Sequence, residues 1–166
     1  MADDAKTADL AKQIYQDLLD RIGASYWEND FAAFSRMIHV PHQISSFGPV
    51  VPIDTQEDLR SVFDGIRNYF ERASVTLYDR NCVAARFKEN GSICGMHETR
   101  ILSGSQIIEP PYPVKSLLRE IDGAWMVCSS DNAFDPDRGV GHVFNQYGQR
   151  KPAKAASSGN QSSKDQ

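Results

Sequence analysis

Apolar residues recur every four positions at Leu10, Ile14, Leu18 and Ile22, which draws a stripe along one face of a helix. Gly23 follows directly, where a glycine cap belongs, so this helix is expected to end there. A second, shorter helix is expected from about Asp30 to Ile38. Its apolar face is Phe31, Phe34 and Ile38, Asn29 or Asp30 can cap its start, and Pro41 blocks its continuation. Residues 42–53 read as extended, with a turn at Gly48-Pro49. Thr55 opens the third helix. Its hydroxyl can accept from the Asp58 amide, and Glu57 and Asp58 suit the positive end of the helix dipole. Leu59, Val62, Phe63, Ile66 and Phe70 keep helical spacing behind it.

From Val75 to Asn132 the pattern changes to strands separated by turn signals at Asn90-Gly91, Ser103-Gly104 and Asp122-Gly123. The predicted strands are Val75–Tyr78, continued by Cys82–Lys88 after a break at 79–81, then Ile93–Leu102, Val114–Ile121 and Ala124–Asp131. Glu109-Pro110-Pro111-Tyr112-Pro113 reads as an edge, a bulge or a lip, because proline donates no ladder hydrogen bond. Helices followed by hairpins predict an α+β fold: three N-terminal helices packed on a strongly curved, mainly antiparallel sheet. The expected organisation is a frayed start over 1–7, one domain over 8–134, a loose extension over 135–148 and a disordered tail over 149–166, where Ala, Ser, Gly, Lys and Gln show no apolar period.

Composition narrows the partners. The chain has 166 residues, 40% of them hydrophobic, which suffices for one domain with its own core. A net charge of -4 argues against nucleic acid as the main partner. No stretch approaches the length of a membrane helix, and the acidic start Met1-Ala2-Asp3-Asp4 predicts no secretory signal. Cys82, Cys94 and Cys128 are far apart and show no metal spacing. They read as reduced core thiols and predict a cytoplasmic location.

The order helix, helix, strand, long helix and then curved strands closing on Asp122-Gly123-Ala124-Trp125-Met126-Val127 resembles the nuclear transport factor 2-like superfamily, in its SnoaL-like branch. Asn29-Asp30-Phe31 and the helix from Thr55 to Arg72 also fit, and the resemblance covers residues 8–134. It implies a cystatin-like α+β cone, a pocket for a small apolar molecule between helices and sheet, and homodimerisation through the open sheet face. The activities it implies range over ketosteroid isomerases, polyketide cyclases, dehydratases and epoxide hydrolases, beside non-catalytic binding modules and assembly subunits such as those of ring-hydroxylating dioxygenases. Laid on the ketosteroid isomerase pattern, the chain has Ile22 where the catalytic tyrosine stands and Ser46 where the aspartate base stands. Neither can do that work, so the usual pair is missing.

Other groups could carry chemistry. His97 shares a strand face with Ile93, Gly95, Thr99 and Ile101. If that face looks into the cone, His97 is a general acid or base; if it looks outward, His97 belongs to a dimer face. His42 begins the first strand and is a second candidate. Paired with His39 across Pro41 it makes a weak metal pattern, and neither a metal nor a cofactor is expected. Asp131 ends the last strand, on a face with Trp125, Val127 and Ser129, and is the preferred carboxylate base. Tyr26, Trp27, Tyr69 and Tyr112 are candidate pocket-lining aromatics, with ordinary core packing as the alternative.

Overall fold

A computed structural model describes residues 2–151 of the chain. Met1 and residues 152–166, which include most of the expected tail, lie outside the described residues. Helix α1 spans Ala2–Glu28 and α2 spans Phe31–Ser35. Strands β1 (Ile38–Ser45) and β2 (Val51–Ile53) precede α3 (Gln56–Arg72). Then follow β3 (Leu77–Phe87), β4 (Ile93–Ser103), β5 (Gln106–Ile107), β6 (Tyr112–Ile121) and β7 (Ala124–Asn132), and α4 covers Gly139–Arg150. The strands form one curved sheet in the order β2-β1-β7-β6-β4-β3, with β5 added to β4. Every pairing is antiparallel except β1 with β7. The α+β expectation is therefore met.

The first helix departs from its predicted stripe. Its buried face is Ala11, Tyr15, Leu18, Leu19, Ile22 and Tyr26, whereas Leu10 is exposed. A strict four-residue repeat drifts off a 3.6-residue turn, so the true face swings away from Leu10 and takes in Tyr15 and Tyr26. The helix also runs through Gly23. Tyr26, beyond it, stacks on Phe63 at 5.2 Å and meets Phe34 at 5.1 Å. Burying that ring outweighs the roughly 1 kcal/mol a helical glycine costs. The stop is Asn29 instead, at φ 55, with the Asp30 amide bonded back to the Ser25 carbonyl at 2.9 Å. The start of the chain is likewise helical from Ala2, not frayed over 2–7.

Asp30 caps α2 through the Ala33 amide at 2.9 Å, but this helix is shorter than predicted. Ile38 pairs with Val127 of β7 instead, so sheet pairing ends the helix early. Helix α3 follows its pattern closely. Thr55 and Asp58 form a reciprocal capping box, and Leu59, Val62, Phe63, Ile66 and Phe70 are buried. The break expected at 79–81 is absent: β3 is continuous, with one extra residue, Val83, bulged between Cys82 and Ala84.

The loose extension expected over 135–148 is also corrected, because most of it is helix α4. Glu109 explains why. Its buried carboxyl accepts from Tyr69 Oη of α3 at 2.7 Å and from the backbone of Val140 at the start of α4. A carboxyl at that end suits the helix dipole. Gly139 has φ 51, and a Cβ there would collide with the Glu109 carboxyl, so glycine is needed on both counts. At the far end Lys151 Nζ bridges Asp54 at 2.8 Å and Asp58 at 2.9 Å, tying α4 to the start of α3. The tail expected from 149 therefore begins, in its described part, as the end of this helix.

Candidate functional site

Inward residues of the sheet and the buried faces of the helices enclose a cavity of about 110 Å³. Leu19 and Ile22 of α1, Leu59, Val62 and Ile66 of α3, and Val140 and Phe144 of α4 supply apolar walls. The sheet supplies the polar groups: His42, Arg80, His97, Thr99, Ser116, Ser130 and Asn132, beside Tyr78 and Tyr112. No Asp or Glu of the described residues lines it.

His97 faces inward. Ile93, Gly95, His97, Thr99 and Ile101 are all buried, as alternation along β4 requires once one of them points to the core. The Tyr15 hydroxyl and His97 Nδ1 share a hydrogen bond of 2.8 Å. Gly95 makes the contact possible, since a Cβ there would collide with the Tyr15 ring. Burial is the main cause that lowers the His97 pKa to about 3, and the nearby Arg80 charge adds to it. Burial also holds the Tyr15 hydroxyl well above its ordinary range. At neutral pH both groups are uncharged.

His42 is buried on β1, with Nε2 3.4 Å from Ser130 Oγ, and its Nδ1 has no hydrogen-bond partner among the described residues. Burial lowers its pKa to about 4, with the Val127 backbone acting the other way and His39 adding to the lowering. An unpaired polar atom on a buried wall is an open bonding position. His39 instead shares a bond with the Pro41 carbonyl at 3.3 Å. Among the described residues no group of three or more His, Cys, Asp or Glu could hold a metal ion.

Asp131 is not in the site. Leu118 pairs with Val127 but Leu117 pairs with Ser129, so Cys128 is an extra residue in β7. The bulge reverses the alternation: Val127 faces the cavity, and beyond it Ser130 and Asn132 do. Asp131 is left exposed, opposite the exposed Lys115. Ser130 and Asn132 take the inward places that a simple period of two assigns to Ser129 and Asp131.

The aromatic candidates divide. Tyr26 and Tyr112 line the cavity and are buried. Tyr112 is no exposed lip, because it opens β6 with its ring edge-on to Phe134 at 5.8 Å. Trp27 is 47% exposed and stacks outside on Phe70, one helix position off the buried face. Tyr69 serves Glu109 instead. Ile22 lines the cavity as the resemblance placed it, whereas Ser46 lies outside and accepts from the Gly48 amide at 3.1 Å. Missed from sequence were Tyr15, Arg80, Thr99, Ser130 and Asn132. Only Thr99 carried a usable signal, through its alternation with His97.

With the geometry in place, the fold is that of the NTF2-like proteins. No family model and no curated protein matches the sequence. Solved structures do match. A Mycobacterium tuberculosis protein of unknown function aligns over 83% of this chain and 88% of its own, at 14% identity and a TM-score of 0.59. An NTF2-like protein of unknown function from Shewanella oneidensis aligns over 73% and 97%, at 12% identity and 0.58. A protein of the NTF2-like family from Streptomyces avermitilis, provisionally named a dehydratase, aligns over 76% and 97%, at 12% identity and 0.55. These likenesses concern the fold and leave the activity open.

Proposed function

We propose that the cavity takes up a small, largely apolar carbonyl compound and that His97 exchanges a proton with it. The observation that carries this reading is the placement of two neutral imidazoles, His97 and His42, on the wall of one apolar cavity. In this reading His97 accepts the proton next to the carbonyl, and the hydroxyls of Thr99 and Ser130 are the groups offered to the enolate oxygen. Tyr15 fixes the ring. The reaction class is an acid/base isomerisation, dehydration or cyclisation without the isomerase tyrosine–aspartate pair. Cavities near this volume hold roughly one small ring, so cyclopentanone is a suitable probe. Deuterium exchange next to its carbonyl, followed by NMR in heavy water, should be accelerated by the protein. His97→Gln should slow it by about 100-fold or more. Binding without acceleration would reduce the protein to a ligand-binding module.

The homodimer belongs to the same proposal. Among the described residues no helix covers Met96 and the bulged Val83, which are exposed on the outer sheet face. A second copy would cover these side chains. Sedimentation at micromolar concentration should give twice the 18.5 kDa of the chain, and Met96→Lys should shift it toward the monomer. A wild-type monomer would end this part of the reading. No helix among the described residues is long and apolar enough to cross a membrane.

A further inference from the structure

Arg80 is the one charged side chain lining the cavity among the described residues. Its guanidinium donates to the Leu19 carbonyl at 2.7 Å and lies over the Tyr78 ring, 4.8 Å from the centroid. Those contacts hold it at the wall, and among the described residues the Leu19 carbonyl is the one acceptor of its guanidinium, which leaves further N–H donors for another partner. Among the described residues no carboxylate stands within ion-pair distance of it. The group is central to the polar wall, since its charge acts on Tyr15, Tyr26, His97 and Tyr112. A cation at the edge of an apolar cavity, with no counter-charge among the described residues, favours an anion from outside.

We propose that the ligand of this cavity is a small monocarboxylic acid, its carboxylate held by Arg80 and its apolar body lying against Leu19, Ile22 and Val114. A carboxylate suits the planar fork of a guanidinium. With only one cation in the wall, a singly charged group matches better than a phosphate dianion. The proposal rests on the cavity being a ligand site, as argued above, and names the charge of what enters it.

The test compares two probes of nearly equal shape, cyclopentanecarboxylate and cyclopentanecarboxamide, by calorimetric titration at pH 7. The acid should bind wild-type protein at least tenfold more tightly than the amide. Arg80→Gln should erase that preference while keeping the amide affinity, and Arg80→Lys should retain part of it. Thermal melting of each variant checks that the fold survives. Equal binding of acid and amide by wild-type protein overturns the inference and leaves the cavity reading intact. A preference that persists in a folded Arg80→Gln also overturns it, since another group would then hold the anion. If neither probe binds, the ligand-site reading fails, and this inference with it.

Discussion

Between pH 6.5 and 4.5 the protein should lose on the order of 4 kcal/mol of unfolding free energy. His42 and His97 ionise near pH 6.5 when unfolded, but their pKa values fall to about 4 and about 3 when folded. Over that interval the unfolded chain binds more protons than the native one, so stability must fall as pH falls. It is fully present above pH 6.5 and is lost as pH drops toward the two folded values. Each ring contributes up to about 1.4 kcal/mol per pH unit. Two groups modify the profile. The Glu109 carboxyl is raised by burial and works in the opposite sense, while Asp58, held well below the usual carboxylate range chiefly by Tyr147 and Lys151 against its own burial, adds a loss only at lower pH. Urea titrations at a series of pH values measure the slope. A His42→Asn/His97→Asn double variant should flatten it, and a wild-type profile already flat from pH 6.5 to 4.5 would show that the rings are not buried and neutral.

Phe63→Ala should cost about 3–5 kcal/mol. Phe63 is fully buried at the middle of α3. Its ring meets Tyr26 at 5.2 Å, Phe34 at 4.9 Å and Phe31 at 5.6 Å, so it joins the first three helices. Truncation removes the ring's transfer energy and leaves a void that the three neighbouring aromatic side chains cannot close without leaving their rotamers. Chemical denaturation at pH 7 measures the loss. A cost under about 1 kcal/mol would mean that the helices collapse onto the gap, and that Phe63 is not the joint between them.

Several parts of the fold were readable because their signals are local. The Thr55 cap, the apolar spacing behind it and the Asn90-Gly91 and Asp122-Gly123 turns depend on neighbours a few residues apart. His97 was found because alternation along β4 is unbroken, leaving only the direction of the face open. Asp131 was misplaced by the same rule. The bulge at Cys128 depends on how β7 pairs with β6, and β7 by itself carries no mark of it. Tyr15 was overlooked because a four-residue stripe starting at Leu10 passes beside it. Arg80 fell in what read as a break between strands. Helix α4 lacked a strong apolar run, and its place depends on Glu109, Asp54 and Asp58, all distant in the chain.

The sequence by itself determined most of the helix and strand types and the α+β class, since period and turn chemistry act over a few residues; the cone came from the resemblance, and His42 and His97 stood as candidates with the direction of the His97 face open. Tertiary structure alone decided which polar groups converge. The β7 bulge turned Asp131 out and Ser130 and Asn132 in, Gly95 let Tyr15 reach His97, and the packing of β3 on α1 set Arg80 at the cavity wall without a counter-charge among the described residues. Each of these depends on pairing register or packing between segments far apart in the chain, where a shift of one residue exchanges the inside for the outside.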